Sequence, residues 1–193
     1  LLRASGPSSI TLEGGTDNPM APPFDFLAQA YLPLVRRMGP AVTIALGARG
    51  FFPAGGGRFT VTVTPSAELA RLDLLDRGEI RARRLTAIVA NLPPSVALRE
   101  IAAASALLGW EQSCCAPQVI KGAPGPGNVV SIAVESEHVT EVFTGFGEKS
   151  VRAEIVAERV ARDAQAYLDA GVPVGEHLAD QLLLLMALAG GGS

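Results

Sequence analysis

The sequence predicts an α+β fold, in which short strands alternate with amphipathic helices along the chain. Three observations support this prediction. Apolar and polar residues alternate in several short segments, a pattern typical of half-buried strands. In other segments apolar residues recur every three or four positions, as in helices that pack on a core. Hydrophobic residues make up 48% of the 193 residues and charged residues 18%, so the composition favours a globular protein and excludes disorder as the main state.

Residues 1–77 predict three strands and one helix. Alternation predicts strands near 9–13, 42–46 and 59–63, and a helix begins after the prolines at 22–23 and ends at the Gly-Pro at 39–40. The three consecutive glycines at 55–57 precede a strand and not a helix N-terminus. They therefore predict a turn with positive φ angles and argue against a phosphate-binding loop.

Residues 78–170 predict a second α+β unit. Strands are expected at 80–90, 129–135 and 138–146, and the four-residue turn at 135–138 predicts that the last two form a hairpin. Helices are expected at 95–108, capped by Ser95, and from about 148 to 170. We therefore predict an inserted small domain at 78–170. Residues 1–77 and 171–193, the latter with a final helix from about Gly175, would belong to the main domain.

Positive charge is concentrated in one segment. The chain carries a net charge of −3, but nine arginines, no lysine and four acidic residues lie between positions 36 and 84. Arginine grips phosphate through two parallel hydrogen bonds, so this segment suggests a phosphate-binding surface. The alternative is an ordinary solvated face in an arginine-rich protein, and charge alone slightly favours that alternative.

The cysteines and the hydropathy of the sequence indicate the cellular compartment of the protein. The only cysteines, Cys114 and Cys115, are adjacent, where a disulfide would be strained, and their spacing offers no metal site. We expect reduced thiols and a cytoplasmic protein.

The longest strongly apolar run, 182–189, is far shorter than the roughly 20 residues that span a bilayer, so no membrane association is expected. The first residues lack both an initiator Met and a signal-peptide pattern, which suggests a processed chain or a fragment.

Two polar residues begin the final helix. His177 and Asp180 are three positions apart and should share one face of its first turn, beside free backbone N–H groups and the positive end of the helix dipole. This arrangement suits a phosphate or a polar cofactor, although an ordinary polar helix face is the favoured alternative on this pattern alone. His138 is expected at the surface of the predicted hairpin.

Five motifs carry a resemblance that covers essentially the whole chain. They are Gly-Gly-Thr-Asp-Asn-Pro at 14–19 followed by Ala-Pro-Pro at 21–23, Arg-Gly-Phe-Phe-Pro-Ala-Gly-Gly-Gly at 49–57, Gly-Pro-Gly-Asn at 125–128, Gly-Glu-Lys at 147–149, and Gly-Glu-His-Leu-Ala-Asp-Gln at 175–181. In order and spacing they resemble the RNA 3'-terminal phosphate cyclases. The resemblance implies a scaffold of repeated α/β units, each a sheet backed by two helices, with the small inserted domain at 78–170.

The resemblance also implies an activity. Cyclases of this family use ATP, with a divalent metal (Mg²⁺ or Mn²⁺), to convert an RNA 3'-terminal phosphate to a 2',3'-cyclic phosphate. A histidine takes AMP, AMP moves to the RNA phosphate, and the neighbouring 2'-hydroxyl closes the ring, so nucleophilic catalysis is followed by proximity. The expected partner is RNA with a 3'-terminal phosphate, and a homodimer is one expected assembly.

The site residues implied by the resemblance lie in two stretches. The nucleotide-binding set is His177, Leu178, Ala179, Asp180, Gln181, Pro22 and Phe26. Pro22 and His177 would sandwich adenine, with Phe26 near them, and Asp180 would contact the nucleotide or its metal. Tyr is the usual family residue where His177 stands, and the smaller imidazole puts the affinity for adenine in question.

Departures from the family pattern limit what this chain would do alone. The family's nucleophilic histidine lies beyond the stretch at which this chain stops, and its phosphate-holding residues come from an N-terminal region not present here. We therefore expect no catalytic residue within these 193 residues and no activity from them alone. A catalytically inactive relative that acts as a binding or scaffold factor in ribosomal RNA processing is the alternative, but the intact stretch at 177–181 favours the enzyme.

Overall fold

A computed structural model describes all residues, 1–193, and confirms the α+β fold. The strands are β1 (Ser8–Gly14), β2 (Ala41–Ala48), β3 (Gly57–Thr64), β4 (Ile80–Ala90), β5 (Cys115–Ile120), β6 (Gly127–Ser136) and β7 (Thr140–Phe146). The helices are α1 (Phe24–Phe26), α2 (Leu32–Arg37), α3 (Ser95–Leu108), α4 (Ala153–Ala170) and α5 (Glu176–Leu188). A π-helical segment (Leu27–Tyr31) joins α1 to α2, and a 3₁₀ turn (Gln112–Cys114) precedes β5.

The strands form two separate sheets. The first is antiparallel, with β3 between β1 and β2, so that Val63 lies opposite both Ser8 and Val42. The second has the order β5-β4-β6-β7. Its β4 and β5 are parallel and are joined through α3, whereas β6 is antiparallel to both of its neighbours. The hairpin expected from the turn at 135–138 is confirmed as β6 and β7.

Both faces of the second sheet are covered. On one face Leu85 and Ile132 share a core with residues of α3 and α4, most of them alanines and valines. On the other face Val142 of β7 shares a core with Phe26 and with Leu178 of α5. Because this core joins residues from both predicted domains, the domain boundaries at 78 and 170 stay a prediction.

Three local features differ from the sequence-based expectations. The edge strand β5 was not predicted, since its Pro117 disfavours a strand interior but is tolerated at an edge. Ser95 does not cap α3: Pro94 occupies that position in a helical conformation, and no side-chain cap forms. Helix α4 begins at Ala153 and not near 148, because Ser150 adopts a positive φ of 68°, which a continuing right-handed helix cannot accommodate.

The π-helical segment has a sequence cause. Pro33 lies in the first turn of α2, and a proline inside a helix lacks the N–H for the usual bond and clashes with the carbonyl four residues earlier. The wider turn at Leu27–Tyr31 lets the chain continue to Arg37 in spite of that proline. As a result Phe26 at one end and Leu34 at the other both reach the same core.

None of the five helices combines the length and apolar character required to cross a membrane. Cys114 and Cys115 are both free thiols, as expected from their adjacency.

Candidate functional site

A small pocket lies where the loop before α1, strand β7 and the start of α5 meet. We call it the small pocket; its volume is about 290 Å³. Its lining residues are Pro19, Met20, Ala21, Pro22, Pro23, Phe26, Val142, Thr144, Phe146, His177, Asp180 and Gln181. Prolines, aromatic rings and a valine supply an apolar wall, and three polar side chains of α5 stand on the opposite side. Apolar walls with a few polar groups are typical of pockets for planar organic ligands.

The structure brings together five of the seven residues implied for nucleotide binding. Pro22, Phe26, His177, Asp180 and Gln181 all line the small pocket, although roughly 150 residues separate the two stretches. The imidazole of His177 is 87% exposed, so it stands at the rim and is free to meet a ligand.

The other two residues of that set have a different position. Leu178 is fully buried in the core that also contains Phe26, and Ala179 lies outside the lining of the pocket. At 3.6 residues per turn, neighbours of His177 point away from the face that it shares with Asp180. Leu178 therefore anchors α5 in the core, and the assignment of Leu178 and Ala179 to the nucleotide-binding set stays a prediction.

A largely buried arginine, Arg49, fixes the loop that forms one wall of the pocket. Nη1 of Arg49 lies 3.1 Å from Oδ1 of Asp17, and its Nη2 lies 2.7 Å from Oδ2 of Asp25. The Thr16 hydroxyl donates to Asp17 at 2.9 Å, and the Gly50 N–H donates to that same hydroxyl at 3.0 Å. Arg49 and Gly50 of the motif at 49–57 are thereby bonded to Asp17 and Thr16 of the motif at 14–19.

Burial and ion pairing shift the pKa values of Asp17 and Arg49 in opposite directions. Burial raises the pKa of Asp17, while Arg49 and the Thr16 hydroxyl act to lower it. For Arg49 burial acts to lower the pKa, but Asp25 and Asp17 outweigh it and the guanidinium is held charged. Since a buried charge without a partner is costly, the three side chains hold the loop at 17–25 in one arrangement.

A second buried carboxylate anchors the other wall. Glu141 of β7 is 2% exposed, and its Oε2 accepts the Gly175 N–H at 2.6 Å, directly before α5. Burial raises the pKa of Glu141, and the N–H groups of Gly175 and Val142 partly oppose that rise. The carboxylate ties the start of α5 to the strand whose Val142 and Thr144 line the pocket.

Neither the role of Glu141 nor the pairing of Arg49 was predicted from the sequence. The available signal for Glu141 was a single acidic residue within an alternating apolar strand. For Arg49 it was the presence of Asp17 and Arg49 in two motifs of the same resemblance. Neither signal identifies a partner, because the partners lie 32 and 34 residues away.

Most of the arginine-rich segment has structural partners, which favours the non-ligand interpretation of its charge. Arg77 donates to the carbonyls of Tyr167 and Leu168, and Arg36 donates to that of Val42. Others pair with carboxylates, for example Arg81 with Glu137. His138 is half-exposed near Asp76 and does not line the small pocket, consistent with a surface residue.

No group of three or more His, Cys, Asp or Glu side chains is placed to hold a metal ion. Asp180 is the only acidic side chain that lines the small pocket. The residues present therefore do not form a protein-based metal site.

Comparison with known proteins agrees with the resemblance carried by the motifs. The model of the family described as RNA 3'-terminal phosphate cyclase matches residues 1–193. Relatives with that name share 46% identity with this chain in Koribacter versatilis and 49% in Pseudomonas fluorescens, each over the full 193 residues. A third, from Ralstonia nicotianae, is 48% identical over 190 residues, or 98% of this chain. The chain belongs to the RNA 3'-terminal phosphate cyclase family.

The match does not extend over the whole of those relatives. It covers 54% of the Koribacter protein, 56% of the Pseudomonas protein and 54% of the Ralstonia protein. The chain therefore spans about half the length of the curated relatives it matches.

Proposed function

We propose that the protein containing this chain is an ATP-dependent enzyme that converts an RNA 3'-terminal phosphate to a 2',3'-cyclic phosphate. Within it, these residues would supply the adenine side of the nucleotide site. One observation carries the proposal: Pro22, Phe26, His177, Asp180 and Gln181, which the family resemblance implies from two distant stretches, line a single pocket.

The chemistry of the small pocket suits an adenine nucleotide. Pro22 and the imidazole of His177 offer flat surfaces for the two faces of the base, and Phe26 supplies apolar area behind them. The first N–H groups of α5 have no partners within the helix and can donate to an anionic ligand, which the helix dipole also favours. Asp180, one turn further on, would orient the ribose, the phosphates or a metal that the nucleotide carries.

The proposed reaction proceeds in two transfers. A histidine outside these 193 residues attacks the α-phosphorus of ATP and pyrophosphate leaves. The RNA 3'-phosphate then takes AMP from that histidine. Attack by the adjacent 2'-hydroxyl on the activated phosphate releases AMP and closes the ring, and it needs no second substrate because both groups are on one ribose. We therefore expect no catalytic nucleophile in this chain and no covalent adenylate from the chain alone.

A binding or scaffold role in ribosomal RNA processing is the second candidate function. It predicts no requirement for a nucleotide pocket, and the exposed His177 at the rim of a formed pocket favours the enzyme. Cytoplasmic location and a homodimer remain predictions from the sequence.

The test is the cyclase reaction of the longest natural protein that contains these residues. With ATP and an RNA ending in a 3'-phosphate, we expect conversion to the cyclic phosphate. His177→Ala should weaken ATP binding by about 1 to 3 kcal/mol, in line with base-aromatic stacking. His177→Tyr should keep or improve the affinity. Asp180→Ala should lower the adenylation rate more than the affinity, because its carboxylate matters most as charge develops at the α-phosphorus.

The matched control is His138→Ala, which removes the only other histidine and does not touch the small pocket. It should change adenylation by less than about twofold. Wild-type kinetics in both His177→Ala and Asp180→Ala would contradict the nucleotide-site assignment. A wild-type protein that binds RNA but forms neither an adenylate nor a cyclic phosphate would instead support the scaffold role.

A further inference from the structure

Three of the motifs that carry the family resemblance contribute little or nothing to the small pocket. Parts of the segments at 51–53, 126–128 and 147–149 converge instead on a much larger cavity, of about 1240 Å³. We call it the large cavity. It lies between the loop after β2, the start of β6 and the loop that joins β7 to α4, with part of α3 and the first residues of α4 at its edge.

The walls of the large cavity are built by close backbone contacts. A side chain at Gly127 would collide with the ring of Phe51, which is buried beneath it. A side chain at Gly125 would meet Ala54, and one at Gly56 would meet Pro124. The glycine-rich loops are therefore in close contact in the folded protein, and the cavity does not depend on a bound ligand for its shape.

Uncompensated positive charge faces the large cavity. Lys149 and Arg152 both line it, both are exposed, and neither forms a salt bridge. The third cation, Arg99, is already held by Glu154 through two contacts of 2.7 Å. The two acidic lining residues are also engaged: Asp17 binds Arg49, and Glu148 binds Arg159. The charge left free for a ligand is thus positive.

An exposed aromatic ring lines the same cavity as these cations. Phe52 lines the large cavity with 63% of its surface exposed. Its neighbour Phe51 is buried in a core cluster with Ile88 and Val129. An exposed phenyl ring next to free lysine and arginine side chains is the combination that binds single-stranded nucleic acid, with bases stacked on the ring and phosphates on the cations.

The large cavity adjoins the small pocket. Pro19 and Phe146 line both of them, so a strand in the large cavity would end beside the pocket. We propose that the large cavity binds the single-stranded nucleotides that precede the RNA 3'-terminal phosphate. Phe52 stacks a base, and Lys149 and Arg152 bind backbone phosphates. This inference rests on the proposed function, because it takes RNA as the substrate.

The test measures RNA binding and ATP use separately in the longest natural protein that contains the chain. The probe is a 5'-labelled single-stranded RNA with a 3'-phosphate, and its affinity is measured by fluorescence anisotropy at several salt concentrations. Phe52→Ala should weaken RNA binding about tenfold. Lys149→Ala and Arg152→Ala should each weaken it several-fold and reduce the slope of log affinity against log salt by about 0.7.

Two control variants are available on the same chain. Lys121→Ala removes the only other lysine, which is exposed and lies outside the large cavity. Leu75→Ala removes an apolar side chain that is 77% exposed elsewhere on the surface. Both should bind RNA as the wild type does. If Phe52→Ala fails to fold, Phe52→Leu keeps the apolar bulk and still removes the aromatic face.

Each outcome decides the question. RNA affinity within twofold of wild type in all three variants would overturn the proposal. So would a loss with an unchanged salt slope in both cation variants, or a parallel loss of ATP affinity, since either indicates general disruption. Protein adenylation without RNA reports on the proposed function independently. An absence of adenylation in the wild type would reject that function, whereas normal adenylation with unchanged RNA binding rejects only the RNA site.

Discussion

Replacing Glu100 by glutamine should change how stability depends on pH. Glu100, on α3, is fully buried. Its Oε2 accepts the Asn128 side-chain N–H at 2.8 Å, whereas its Oε1 has no hydrogen-bond partner. Burial raises the pKa of this carboxyl from 4.5 to about 7, and the Asn128 amide and the charge of Arg99 only partly offset the rise. The protonated acid is thus the form that the fold prefers.

The sign of the effect follows from proton binding. Between pH 4.5 and about 7 the folded protein holds a proton at Glu100 that the unfolded chain has released. The resulting stabilisation is fully present below about 4.5 and is lost as the pH rises through 7. One pKa unit is about 1.4 kcal/mol, so the shift corresponds to roughly 3.5 kcal/mol at most, and we expect about 2 kcal/mol after local relaxation.

Urea unfolding of the longest natural protein at pH 5, 6, 7 and 8 measures this effect. Relative to wild type, Glu100→Gln should gain about 2 kcal/mol between pH 5 and pH 8, because glutamine cannot ionise. Any cost of placing the glutamine amide is independent of pH and cancels from that difference. The exposed Glu79 provides the control, since Glu79→Gln should show no such gain. A stability difference for Glu100→Gln that stays constant within about 0.5 kcal/mol would refute the reasoning.

Three further predictions concern the supports of the small pocket. Arg49→Lys should cost about 1 to 3 kcal/mol in urea unfolding and weaken ATP binding, because one ammonium cannot bridge two aspartates; an unchanged midpoint would contradict it. Glu141→Ala leaves the Gly175 N–H unpaired and should cost a similar amount, with Glu141→Gln retaining most of the stability; equal losses would argue against the hydrogen bond. Leu178→Ala should lower stability by about 2 to 5 kcal/mol in thermal or urea unfolding, and a loss below about 1 kcal/mol would place Leu178 outside the core.

The elements that sequence predicted well are those set by local periodicity. The strand expected at 80–90 and the helix expected at 95–108 have the observed bounds, because a buried stripe repeats regularly in each. The start of a helix and the presence of an edge strand were harder to predict. Helix α4 begins late because of a single backbone angle at Ser150, and β5 exists only because α3 returns the chain to the side of β4.

The same distinction applies to the candidate site. The motif at 175–181 and the prolines at 22–23 could be recognised from sequence, and the structure places them around one pocket. Which side chains in the motif line the pocket could not be recognised: helical geometry turns Leu178 into the core while His177 stays at the rim. The partners of Arg49 and Glu141 depend on contacts between segments far apart in sequence, which no local pattern encodes.

The distance along the chain between the two walls of the small pocket sets an order of events during synthesis. The wall at 19–26 leaves the ribosome first, and the residues of α5 follow roughly 150 positions later. At about 5 to 20 residues per second that interval lasts on the order of 10 to 30 seconds. Throughout it, the apolar surface around Phe26 and Leu34 lacks its cover from α5. The nascent chain would therefore expose an apolar patch to chaperones until α5 emerges, and the small pocket could form only after that.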